Sequence, residues 1–112
     1  MTIEAQKTIE LIECGTGGVQ EVRILKQDTS SIEFDRFMRL KTVAEHVNKL
    51  KLEKNSTILD VGGFDGAFAL FVPDMKVLVI DPQTTGGSGL SIPFSDKHFD
   101  VVVSIDALEH VP

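Results

Sequence analysis

The sequence predicts an α/β domain with a shortened parallel sheet, helices and an N-terminal β-hairpin. Three observations carry that expectation. One long segment, from Ser30 to about Leu52, spaces its apolar residues at three- and four-residue steps, the period of an amphipathic helix. Apolar runs follow at Thr57–Val61, Lys76–Ile80 and Phe99–Ser104, nearly continuous rather than alternating, as in strands covered on both faces. Between the first two lies "ILDVGGFDG", Ile58 to Gly66, where a strand ends in an acid and turns through closely spaced glycines.

Taken in order, "TIELIEC" and "VQEVRILK" are rich in β-branched residues with "GTGG" between them, which reads as a hairpin of Thr8–Glu13 with Gln20–Lys26. The "ECGTGG" glycines belong to the hairpin turn, because no helical pattern follows to receive an anion. Ser30 and Glu33 have capping-box spacing and would start the helix. Its core stripe is Phe37, Leu40, Ala44, Val47 and Leu50, flanked by Phe34, Met38 and Val43, with His46 on the surface. Asp65–Phe71 is expected to be a short helix that Pro73 stops. "QTTGGSG" is a loop by composition, and "IDALEHVP" opens a further helix or turn. Residues 1–29 thus form an extension and residues 30–112 the α/β domain.

Composition narrows the function classes. A chain of 112 residues can bury one core. Its formal charge of −6 would repel phosphate backbones, so nucleic acid is not expected as a partner. No run approaches the ~18 apolar residues of a membrane span. The opening "MTIEAQKTIE" lacks a basic stretch followed by an apolar core, so a cytoplasmic location is expected. The single cysteine, Cys14, cannot form an intrachain disulfide, and no Cys/His set has zinc spacing.

In an open parallel sheet, ligands bind beyond the carboxyl ends of the strands. Three polar sets fall there: Asp60 to Gly66, Asp81, and Asp106 to His110. Gly62 and Gly66 would let the backbone approach a ligand and would present amides at a helix start. Asp81 follows Gly62 by 19 residues, a distance suited to a carboxylate on the adjacent strand that accepts both hydroxyls of a ribose. A nicotinamide dinucleotide would want G-x-G-x-x-G, but Val61 stands at its first glycine. In the frame acid-x-G-x-G-x-G, Asp60, Gly62 and Gly66 match and Phe64 is the misfit. Asp60 favours the second frame, since a carboxylate repels a pyrophosphate and attracts an ammonium.

"ILDVGGFDG", "VLVID" and "SIPFSDKHFDVVVSIDALEHVP", in this order, resemble the class I S-adenosylmethionine-dependent methyltransferases, in the branch acting on small molecules, lipids and quinones. The third segment is the most specific, and the similarity covers about Thr57 to Pro112. It implies a Rossmann-like core with S-adenosylmethionine as cofactor. Asp60, Gly62, Gly63 and Gly66 would line its methionine end, Asp81 would bind the ribose, and Ile92 and Pro93 would lie by the adenine. Asp106 to His110 would form the floor near the transferred methyl, with His110 and Asp106 as the catalytic candidates. A loose metal set of Asp106, Glu109 and His110 is the lesser reading, because short acidic turns usually cap helices.

The match departs from the family in three places. Phe64 replaces the middle glycine of the turn. Only ten residues separate Asp81 from Ile92, where the family has a helix and a further strand. The family's adenine-recognising acid would align with Ser88, which accepts a hydrogen bond without charge and forfeits on the order of 1.5–3 kcal/mol. Finally, the family continues through three more strands beyond "FDVVVS", which otherwise leaves an apolar sheet edge. The N-terminal hairpin, a second copy of the chain or a partner chain is expected to cover that Phe99–Ser104 edge. The competing function is a non-catalytic ligand-binding or assembly module that keeps the fold.

Overall fold

Among the described residues, five strands form one mixed sheet in the order β1-β2-β4-β3-β5. They are β1 (Ile9–Glu13), β2 (Val19–Ile24), β3 (Thr57–Val61), β4 (Lys76–Ile80) and β5 (Val101–Val103). One helix, α1 (Phe34–Lys49), precedes β3, and a five-residue 3₁₀ segment, Ala67–Phe71, lies between β3 and β4. The computed structural model describes residues 7–13, 18–63, 65–81 and 99–105.

The three apolar runs contain parallel strands, β3 pairing with β4 on one side and with β5 on the other, but the Phe99–Ser104 run is a strand only over Val101–Val103 and Val102 is 56% exposed. Ile58 and Leu59 of β3 and Val79 and Ile80 of β4 are fully buried, which explains their continuous apolar character. Alternate residues serve opposite faces. Ile58, Val77 and Val79 join Leu40, Ala44, Val47 and Phe68 in the core under α1 and the 3₁₀ segment. Leu59, Leu78 and Ile80 pack with Val19 on the other face.

The expected parallel sheet is correct for only three of the five strands. β2 joins antiparallel to β4, with Val19 opposite Ile80 and Glu21 opposite Leu78, and β1 completes the hairpin from Ile9 opposite Ile24 to Glu13 opposite Gln20. The hairpin therefore covers the β4 side of the sheet and not the Phe99–Ser104 side. Its strands are a residue or two offset from the expected Thr8–Glu13 and Gln20–Lys26.

Three local expectations also change. Ser30 and Glu33 form no capping box. The Ser30 amide donates to Asp28 Oδ1 at 2.9 Å in a turn, and Glu33 stands at the helix cap without a side-chain bond. The helix ends at Lys49, so Leu50 leaves the predicted stripe and is 57% exposed, while Leu40, Ala44 and Val47 keep their places. The segment after the glycine turn is a single 3₁₀ stretch, not an α-helix. It is held by burial rather than by length: Phe68 is fully buried, worth about 1.5–3 kcal/mol, and Phe71 meets Phe37 edge-on with centroids 5.1 Å apart.

Candidate functional site at the strand ends

The strand order creates a switch point. From β3 the chain passes to β4 on one side, and β5 lies on the other, so the carboxyl end of β3 faces the crevice where open α/β sheets take ligands. The register sets Val61 opposite Ile80 and Asp60 opposite Val103. The Gly62 amide donates to the Ile80 carbonyl at 2.7 Å, which draws the start of the turn against the end of β4, where Asp81 follows. Asp60, Gly62, Gly63 and Asp81 are thereby brought to one end of the sheet.

Both acids are largely out of water: Asp60 is 1% exposed and Asp81 6%. Buried carboxylates are costly unless hydrogen-bonded, and each of these makes interactions within the chain. The Asp60 side chain lies over Gly63, where an added Cβ would come within 2.5 Å of its Oδ2 and 2.6 Å of its Cγ. Gly63 is thus the space that the Asp60 carboxylate fills. Gly62 has φ of 75° and Gly66 of 81°, conformations that favour glycine.

The amides do not lie as expected. Gly62 donates to Ile80, and Gly66 donates to the Gly63 carbonyl at 3.0 Å. The five-residue 3₁₀ segment, whose Ala67 amide donates to Asp65 Oδ1 at 3.1 Å, forms no anion-binding helix start. A side chain at Gly66 would point toward the hairpin. A Cβ there would meet Val22 Cγ2 at 2.7 Å and Leu11 Cδ2 at 3.2 Å. Among the described residues, this end of the sheet gathers two buried carboxylates, and the Gly62 and Gly66 amides are already engaged.

Two residues that the motif left unassigned also shape the turn. Arg36, in the first turn of α1, donates through Nη2 to Asp65 Oδ1 at 2.9 Å and through Nη1 to Oδ2 at 3.3 Å. The only sequence signal for this pair was opposite charge, across 29 positions. Beside the end of β5 an open groove of about 410 Å³ runs along α1, lined by Met38, Arg39, Thr42, Val43, Ser104 and Ile105.

Phe64, Ser88, Ile92, Pro93, Asp106, Glu109 and His110 lie outside the described residues. Among the described residues no group of three or more His, Cys, Asp or Glu side chains could hold a metal ion. In the same residues no helix is long and apolar enough to cross a membrane. Compared with family models, curated proteins and solved structures, the chain matches none.

Proposed function

We propose that this chain is an S-adenosylmethionine-binding, methyltransferase-like module whose acceptor is a small molecule or lipid-like compound. One observation supports this best: two buried carboxylates, Asp60 and Asp81, stand at the ends of neighbouring parallel strands around a turn whose Gly62 amide is already engaged. Such a pair of acceptors suits an ammonium group and a diol, which the amino-acid and ribose parts of S-adenosylmethionine supply as donors. A pyrophosphate would meet negative charge instead, which weighs against a nicotinamide dinucleotide.

In this reading Asp60 faces the ammonium, Gly62 and Gly63 border the methionine part, and Asp81 accepts the ribose hydroxyls. When bound, the cofactor supplies an electrophilic methyl group on a sulfonium. The chain's own residues bind it, orient it and keep water away, and orientation of this kind can be worth up to about 7–11 kcal/mol. The groove between α1 and β5 suits an apolar acceptor, since Met38, Val43 and Ile105 contribute to its lining. Ser88 and Ile92 at the adenine, and His110 and Asp106 at the acceptor, belong to the proposal through the family resemblance.

A second reading, a non-catalytic ligand-binding or assembly module, is favoured by one feature. β5 is an outer strand of the described sheet and presents Val102 at 56% exposure.

Calorimetric titration of the chain with S-adenosylmethionine and S-adenosylhomocysteine, with NAD as control, tests the choice. Binding of both sulfur ligands in the micromolar range, no heat with NAD and loss of binding in Asp81→Ala are the expected results. A folded sample that binds neither sulfur ligand would reject the cofactor reading and leave the assembly module.

A further inference from the structure

We propose that Arg36 is a positioning residue for the strand-end site, acting through Asp65 on the glycine turn. The inference rests on the cofactor reading of that turn, but the contact it invokes is independent of the ligand.

Arg36 is a cation in the first turn of α1, yet its side chain is only 18% exposed, against 47% for Asp65. Two guanidinium bonds go to that carboxylate, at 2.9 and 3.3 Å, one to each oxygen. A forked pair of this kind fixes orientation as well as distance. Asp65 Oδ1 accepts at the same time from the Ala67 amide, at 3.1 Å. A single carboxylate thus ties the start of α1 to the start of the 3₁₀ segment.

The tie is placed where the backbone has most freedom to lose. Gly62 and Gly66 bracket the turn, both at positive φ, and glycine gives up more conformational entropy on ordering than any other residue. The hairpin braces the far side. Val22 and Leu11 press on Gly66, and Gln27 Nε2 donates to the Leu70 carbonyl at 2.6 Å. With Gly62 hydrogen-bonded to Ile80, the turn is held at β4, at the hairpin and, through Arg36, at α1. The α1 hold is the one made by a charged fork. Lysine in its place would keep the charge and lose the two-point geometry.

The test uses Arg36→Gln and Arg36→Lys in the full chain. Both leave the Asp65 carboxylate in place to accept from the Ala67 amide, so they probe the clamp and not that bond. The first readout is amide hydrogen exchange at Gly66 and Ala67, referenced to Val79 in the core. In Arg36→Gln the turn amides should exchange about fivefold faster or more with Val79 unchanged, and Arg36→Lys should fall between it and the parent chain. The second readout is S-adenosylhomocysteine affinity, expected to fall about fivefold in Arg36→Gln and to recover in part in Arg36→Lys. If Arg36→Gln does not fold, Arg36→Lys carries both readouts.

Turn amides that exchange at the parent rate would overturn the proposal, as would faster turn exchange with unchanged affinity. If the parent chain binds no sulfur ligand, the cofactor reading is what fails. Exchange at Gly66 and Ala67 then still decides whether Arg36 holds the turn.

Discussion

A side chain added at Gly66 and one added at Gly63 would fail for different reasons, and the difference separates packing from site. At Gly66 the backbone has φ of 81° and the new Cβ would lie 2.7 Å from Val22, itself buried in the core. Neither the backbone nor Val22 can yield easily, so Gly66→Ala should cost about 1–3 kcal/mol, read as a lower denaturant midpoint. At Gly63 the obstacle is the Asp60 carboxylate, 2.5 Å from the new Cβ. Gly63→Ala should therefore displace Asp60 and, on the proposed cofactor reading, weaken S-adenosylhomocysteine binding by more than Gly66→Ala does, at a smaller loss of stability. Equal affinity in the two variants would argue that Asp60 is not part of the ligand site.

Among the elements, α1 shows how a helix can begin without the cap its sequence suggests. The Ser30 amide is taken by Asp28, and this turn, not a serine cap, leads the chain toward Phe34. The Asp28 carboxyl is held below its ordinary value of 3.8, chiefly by the Ser30 backbone hydrogen bond, then by the Ser30 side chain, with Lys26 adding attraction. A depressed carboxyl contributes stability above its unfolded pKa and loses it as pH falls through the folded value. Acid titration of stability should show this loss starting near 3.8 and continuing below it, and Asp28→Asn should remove it. A variant whose acid limb coincides with that of the parent chain would mean that the turn adds nothing. The 3₁₀ segment makes a related point about elements. "AFALF" is too short to be a stable helix alone, and it exists because Ala67, Phe68 and Ala69 are buried in the core with residues of the sheet and α1.

For the whole molecule, the two outer strands of the described sheet are unequal. β1 carries Glu10 and Glu13, and Glu10 pairs with Arg23 at 3.1 Å, which discourages further strand pairing. β5 is three valines, with Val102 56% exposed. Association through β5, with a second copy or a partner chain, follows as the expectation. Sedimentation at rising concentration should show self-association that Val102→Lys reduces. A parent chain that stays monomeric throughout, with the β5 amides exchanging freely, would rule the expectation out. The hairpin cannot cover β5, because it sits at the opposite end of the sheet beyond β4.

Much of this was legible in the chain itself. The periodic stripe at Leu40, Ala44 and Val47, the β3 and β4 boundaries, the hairpin and the acid-glycine turn are all patterns among neighbouring residues, and local periodicity reports local structure directly. The end of α1 was not, because Leu50 continues the apolar spacing at the helix cap, just before Lys51 turns the backbone to a φ of 54°. The Arg36–Asp65 clamp, the Asp60 carboxylate over Gly63 and the side of the sheet taken by the hairpin were not legible either. Each joins residues whose spacing in sequence carries no signal, or turns on how closely two backbones approach. The sequence by itself determined most of the elements and which polar residues stand at the strand ends. Only the tertiary structure decided which edge was closed, which amides were already engaged and what holds the turn, because those depend on the free energy of long-range pairing.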